Sequence, residues 1–396
     1  MANNITITAN DLNSGDGRFD RFELIGWWDQ QRIKDARVVV VGAGALGNEL
    51  VKNLALLGIG NLIIVDMDEI EHSNLSRSIL YRAADNGRYK AEVAAEAAKE
   101  IYPDINVKAI RGNILHDIGL GVFRWADIVL GGLDNREARL AINRNCWKVN
   151  RPWIDGAIEA IQGTVRFFAP EGPCYECTMS ERDWKVLRHR RSCNLLTRDE
   201  MLTTRTPTTP TISSIIAGVQ CQEAVKHLHG MDTMRGGGWI YEGISGDSYP
   251  VKFQQKEDCY SHDVPESILE LPFSNRSATV EMLFNEIRSR IGEDAQVELP
   301  REIVSHLVCP LCTKKVPIFK PLSNIPASRA VCADCDGARS EVVSFHIIRQ
   351  PEDYQGMTLS EIGLAEFDIV FGSTAEQFIG FELTGDKEAA LAGLDL

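Results

Sequence analysis

The chain has 396 residues, 44% of them hydrophobic, enough to bury a sizeable core in two or three domains. Its formal net charge of −14 argues against a nucleic-acid partner, which leaves a basic footprint. No run approaches the roughly 20 consecutive apolar residues of a spanning helix, so no membrane segment is expected.

The polar opening stretch, residues 1–17, lacks the basic-then-apolar order of a secretory signal and reads as the flexible tail of a cytoplasmic protein. Residues 37–42, "RVVVVG", read as a buried strand ending in Gly. Gly42, Gly44 and Gly47 stand in G-x-G-x-x-G spacing, and "LGNELVKNLALLGIG" has helical apolar spacing. "NLIIVD" is a second strand, ending on Asp66. Together these make a βαβ unit. "YKAEVAAEAAKEIY" predicts a helix, "INVKAI" a strand, "DIVLGGLDN" a strand with a polar end, "REARLAINRNCWKVN" a helix and "PWIDGAI" a strand. This alternation predicts an α/β fold with a doubly wound, mostly parallel Rossmann-like sheet. "GTVRFFAP" alternates more and predicts an antiparallel extension.

Residues 178–210 are polar, rich in Arg and Thr, and aperiodic, which predicts a long crossover loop with one helical turn in it. "TISSIIAGVQCQEAVKHLHG" predicts a helix closed by Gly230. The first domain is expected to span 18–263. Residues 264–396, with an amphipathic helix over 279–291 and paired cysteines, are expected to form a small C-terminal α+β zinc-ribbon module.

A glycine loop lets backbone approach phosphate, and the helix behind it supplies N–H groups and positive dipole. NAD and ATP both fit such a loop, and Asp66 would hold ribose hydroxyls in either case. The stretch "DMDEIEHSNLSR" discriminates between them. It supplies Asp66, Asp68, Asn74 and Arg77, and Lys90 opens the next helix. A triphosphate carries more charge than a pyrophosphate and needs cations beyond the glycine loop; Arg77 and Lys90 are such cations. Asp134 lies where a parallel sheet gathers its ligands and could hold Mg²⁺, cap the following helix, or do both.

"RFDRFELIGW", "GAGALG", "IVDMDEIEHSNLSR", "YKAEVA", "GGLDN" and "CYEC" stand in the order and near-spacing of the ubiquitin-activating (ThiF/MoeB-like) adenylyltransferase family. That family includes the activators of the molybdopterin-synthase and thiamine sulfur carriers, and the resemblance covers roughly residues 18–262. It implies Mg-ATP-dependent formation of an acyl adenylate on a ubiquitin-like protein ending in glycine. By position it assigns ribose binding to Asp66, phosphate contacts to Asn74, Arg77 and Lys90, and Mg²⁺ to Asp134. It also implies a homodimer in which Arg21, with Arg18 as its neighbour, reaches the ATP of the partner subunit. One departure is Ser78, where the family often has Gln after the arginine; its effect is expected in local packing more than in chemistry.

Cys174 and Cys177 form a CxxC knuckle, and a closed zinc site needs two more ligands. The family usually supplies a second CxxC. This chain instead has Cys259 and His262 at the same spacing, which suggests a structural Cys₃His site, the alternative being that these two residues are unrelated to the knuckle. Cys309, Cys312, Cys332 and Cys335 form two CxxC pairs at zinc-ribbon spacing. Three cysteines remain. Cys146 and Cys221 lie in helical stretches and read as small hydrophobes. Cys193 follows Arg188, His189, Arg190 and Arg191, which would favour a thiolate. In thioester-forming members of the family a loop cysteine accepts the activated protein. Cys193 lies upstream of that cysteine's usual place, so a packed or spare thiol is the alternative.

The sequence is compatible with four functions: an activating enzyme that passes its carrier through Cys193 to a conjugating enzyme; a sulfur-carrier adenylyltransferase without a thioester; an NAD-linked oxidoreductase, which the cations after Asp66 disfavour; and a nucleotide-binding scaffold. By analogy with ubiquitin-activating enzymes the C-terminal module would dock a conjugating enzyme or the carrier. A stabilising or dimerising element is the alternative.

Overall fold

The computed structural model describes residues 17–185, 207–335, 338 and 340–394. Two short helices, α1 (Asp20–Glu23) and α2 (Gln30–Asp35), precede an eight-stranded sheet. Its strands are β1 (Arg37–Val41), β2 (Asn61–Val65), β3 (Asn106–Ile110), β4 (Ile128–Gly131), β5 (Trp153–Glu159), β6 (Gln162–Phe168), β7 (Gly237–Glu242) and β8 (Asp247–Lys252), in the spatial order β3-β2-β1-β4-β5-β6-β7-β8. β1 to β5 run parallel, and the last three strands extend the sheet antiparallel.

The β-branched runs that read as strands are buried on both faces. Val38 and Val40 pack with α3 (Ala45–Leu57), α4 (Lys90–Ile101) and α7 (Pro210–Leu228). Val39 and Val41 pack on the opposite face with α5 (Leu120–Trp125) and α6 (Arg136–Lys148). Two-sided burial is why these strands read as unbroken apolar runs. Gly230, at φ +69°, lies just past the end of α7, as the sequence anticipates. Residues 181–185 are helical, in keeping with the helical turn expected within the crossover loop.

A second sheet comprises β9 (Ser267–Leu271), β10 (Gln296–Val308), β11 (Lys315–Pro321), β12 (Glu341–Ile348), β13 (Ile369–Ser373) and β14 (Phe378–Leu383). Its order is β11-β10-β13-β14-β9, with β12 also paired to β10. Helix α8 (Val280–Ile291), capped by Thr279, places Leu283, Phe284 and Ile287 in the core of this module.

The two sheets share a core. Phe367, Ile369 and Phe371, together with Leu391 after the short α9 (Lys387–Ala390), pack in one cluster with Phe123 and Trp147. Asp368, fully buried, accepts from the Leu120 N–H at 3.0 Å and from Arg301 Nη2 at 2.8 Å. Arg301 Nη1 in turn donates to the His116 carbonyl at 2.7 Å. The C-terminal module is thus clamped onto the segment that follows β3.

Candidate active site

The three glycines meet three separate demands. Gly42 has φ +93°, and a Cβ there would lie 2.5 Å from the Gly132 carbonyl oxygen. A Cβ on Gly47 would lie 1.9 Å from the Gly42 carbonyl oxygen. Gly44, the residue before α3, faces open space. Two glycines therefore allow the turn and the close packing of helix on strand, while Gly44 leaves backbone accessible where a phosphate would approach.

Asp66, at the end of β2, ties this loop to the next. Its Oδ2 accepts from the Ala43 N–H at 2.7 Å and its Oδ1 from the Asp68 N–H at 2.8 Å. Burial raises its pKa, opposed by Lys90 and by these two N–H groups. Lys90, at the first position of α4, reaches Asp68 Oδ2 at 3.1 Å, and its side chain is only 12% exposed. The Tyr81 hydroxyl donates to the Ala43 carbonyl and also lies 3.2 Å from that of Lys90. The glycine loop, Asp66, Asp68 and Lys90 thus form one hydrogen-bonded set.

Asn74 Oδ1 accepts from the Glu71 N–H at 3.0 Å, closing a short turn, and Arg77 Nη1 donates to the Ser73 carbonyl at 2.7 Å. Asp134 is exposed, just past the end of β4. It does not cap α6: Asn135 does, accepting from the Ala138 N–H at 2.8 Å. Among the described residues the Asp134 carboxylate accepts one hydrogen bond, from Asn135 Nδ2 at 3.2 Å. Arg21, on α1, is exposed and has no ion pair among the described residues. Arg18 is engaged elsewhere, donating to the Ile101 carbonyl with its guanidinium 5.2 Å from the Tyr102 ring centre.

One network was not anticipated from the sequence. Asp155, fully buried in β5, accepts from Arg139 Nε at 2.8 Å and from Arg166 Nε at 2.9 Å. Burial opposes the Arg139 charge, but Asp155 overcomes this and raises its pKa. Arg139 also donates to the carbonyls of Leu133 and Gly156, bracing the turn that carries Asp134. No local pattern in the sequence marks this network, because its three members come from α6, β5 and β6.

Both cysteine constellations assemble. The ligand atoms of Cys174, Cys177, Cys259 and His262 all lie within 4.8 Å of one another, as do those of Cys309, Cys312, Cys332 and Cys335. Cys174 and Cys259 Sγ are 3.4 Å apart, and Cys177 Sγ is 3.6 Å from His262 Nε2. The first cluster is tied to α6: Glu176 pairs with Arg144 at 3.1 Å, and Asn143 Nδ2 donates to Ser261 at 2.9 Å. Cys146 and Cys221 are buried, and burial pushes the Cys221 thiol up to about 12. Cys193 lies outside the described residues.

Residues 18–261 match the ThiF family. The chain belongs to the ThiF family. Within it, the chain is 35% identical over 161 residues to the SAMP-activating enzyme E1 of Haloferax volcanii, covering 40% of this chain and 58% of that one. It is 27% identical over 232 residues to the sulfur carrier protein ThiS adenylyltransferase of Escherichia coli, covering 58% and 87%. Some curated relatives are spanned by little more than half of their length. The fold is similar to E. coli MccB solved with ATP, with a TM-score of 0.53 at 22% identity, covering 65% of this chain and 77% of that one. Among the described residues of this ThiF-family chain, no helix is long and apolar enough to cross a membrane.

Proposed function

We propose that this chain uses Mg-ATP to adenylate the C-terminal carboxylate of a ubiquitin-like protein ending in glycine. The observation that carries the reading is the single hydrogen-bonded set of glycine loop, Asp66, Asp68 and Lys90, with Gly44 open to a ligand and Asp134 free of a capping role. Asp66 would hold the ribose, Asn74, Arg77 and Lys90 the phosphates, and Asp134 the Mg²⁺. A carboxylate oxygen of the carrier attacks the α-phosphorus. The bond from that phosphorus to the α,β-bridging oxygen breaks, and pyrophosphate leaves with the electron pair. The protein supplies alignment and positive charge, and no covalent group is needed for this step. Arg21, exposed and without an ion pair among the described residues, suits the role of a cation given to a partner subunit's nucleotide, so the working form would be a homodimer.

In the fuller form of the reading, the Cys193 thiolate attacks the acyl carbon, AMP leaves, and the carrier passes to a conjugating enzyme in the cytoplasm. The likeness to a ThiS adenylyltransferase over 87% of its length favours a second form, activation of a sulfur carrier without a thioester. Membership of the ThiF family weighs against the NAD-linked alternative. The two cysteine clusters would each hold a structural Zn²⁺, since four protein donors leave no open position.

Exchange of labelled pyrophosphate into ATP tests the reading. Exchange that requires a ubiquitin-fold carrier and is lost in Lys90→Ala supports it. Carrier-independent exchange, or full exchange by Lys90→Ala, contradicts it. A carrier adduct that survives denaturant, is cleaved by thiol and is absent in Cys193→Ala separates the first form from the second.

A further inference from the structure

Proceeding outward along the sheet from its centre, the order is β1, β2, β3. The glycine loop follows β1 and Asp66 ends β2, so phosphates and ribose would be gripped at the ends of these two strands. The base of a nucleotide held this way would lie over the end of the next strand, β3. Arg111 stands there, directly after Ile110, and the Asp66 N–H donates to the Ile110 carbonyl at 3.2 Å, joining the two strand ends. The Arg111 guanidinium carbon lies 3.4 Å from the centre of the Tyr89 ring, at stacking distance. Tyr89 is the residue before Lys90 and is bridged to Glu69, so the ring is fixed to the loop that carries Asp66 and Asp68. Arg111 is exposed and has no ion pair among the described residues. The loop behind it is held by Asp117, which accepts from the Asn113 N–H at 2.7 Å.

Resting on the reading of the glycine loop as an ATP site, we propose that Arg111 is a base-recognition residue, with one guanidinium face on Tyr89 and the other stacking on the adenine of ATP. A flat, delocalised cation stacks on an aromatic face more effectively than an ammonium does, and the Tyr89 ring holds it flat in advance. No other guanidinium is within cation–π reach of Tyr89 among the described residues.

Calorimetric titration of the full chain with Mg-ATP and with Mg-tripolyphosphate, which has no base, tests the proposal. Arg111→Gln should weaken ATP binding roughly tenfold and leave tripolyphosphate binding unchanged, with Arg111→Lys between wild type and Gln. Equal losses for both ligands would make Arg111 a phosphate contact and overturn the proposal; unchanged ATP binding in Arg111→Gln would also overturn it. Failure of the wild-type chain to bind ATP would instead remove the ATP-site reading on which the proposal depends.

Discussion

Replacing Asp155 by Ala removes the carboxylate that accepts from both Arg139 and Arg166. Asp155 is fully buried; the Arg139 side chain is 9% exposed and that of Arg166 is 20% exposed. Removing one member of a buried ion pair costs about 3–5 kcal/mol, because the charge left behind lacks compensation. Arg166 can turn partly to solvent, so its share is discounted. Arg139 cannot, because its guanidinium is also held by the carbonyls of Leu133 and Gly156. The expected loss is therefore about 3–4 kcal/mol. Urea unfolding followed by tryptophan fluorescence reads it, with fully buried Trp153 two residues away as a reporter. The double variant Arg139→Met/Asp155→Leu should lose less than the sum of its single changes. A loss below about 1 kcal/mol in Asp155→Ala would show that the buried network contributes no more than a surface ion pair.

Gly42→Ala and Gly44→Ala should separate folding from binding: the first loses about 1–3 kcal/mol of stability through its left-handed φ and the Gly132 contact, while the second unfolds near the wild-type midpoint but binds Mg-ATP weakly. Equal stability losses in both would contradict this division. His227 has its pKa lowered by burial and then by Arg235, whose Nη2 donates to His227 Nδ1 at 2.7 Å. The unfolded imidazole takes a proton near its ordinary value of 6.5 while the folded one resists, so this contribution is intact above 6.5 and is lost as pH falls below it. Denaturation midpoints measured on either side of that value should decline on the acid side, and the decline should be shallower in His227→Leu; an unchanged slope would refute the assignment. Metal analysis should find two zinc ions per chain and one in Cys177→Ser, with chelation lowering the melting temperature of the wild type. A metal-free chain that melts at the same temperature with and without added zinc would exclude both sites.

The first sheet and the glycine loop were legible because their chemistry is local. Runs such as "RVVVV" and "NLIIVD" announce strands buried on two faces, and glycine at positions 42 and 47 answers a backbone demand within a few residues. Cys259 and His262 were legible through a spacing that repeats the CxxC. The cap of α6 was expected at Asp134, and it falls one residue later, at Asn135, because only the observed start of the helix decides which of two adjacent side chains caps it. The Asp155 network was hidden because its three members come from α6, β5 and β6, and a charged residue in sequence carries no sign of burial. The β7–β8 hairpin, with most of β8 exposed, lacks a clean alternation. Docking of the C-terminal module depends on Asp368 and Arg301 meeting a segment near residue 120, a long-range match that no local pattern encodes.

In the proposed reaction the chain places AMP on the end of another protein. Incubating it with a ubiquitin-fold carrier and Mg-ATP labelled at either the α- or the γ-phosphate tests this most directly. Acid-stable α-label should be recovered on the carrier, with none of the γ-label, and a carrier lacking its terminal glycine should not be labelled. Transfer of the γ-label, or no transfer to any such carrier from a chain that binds ATP, would contradict the proposed reaction.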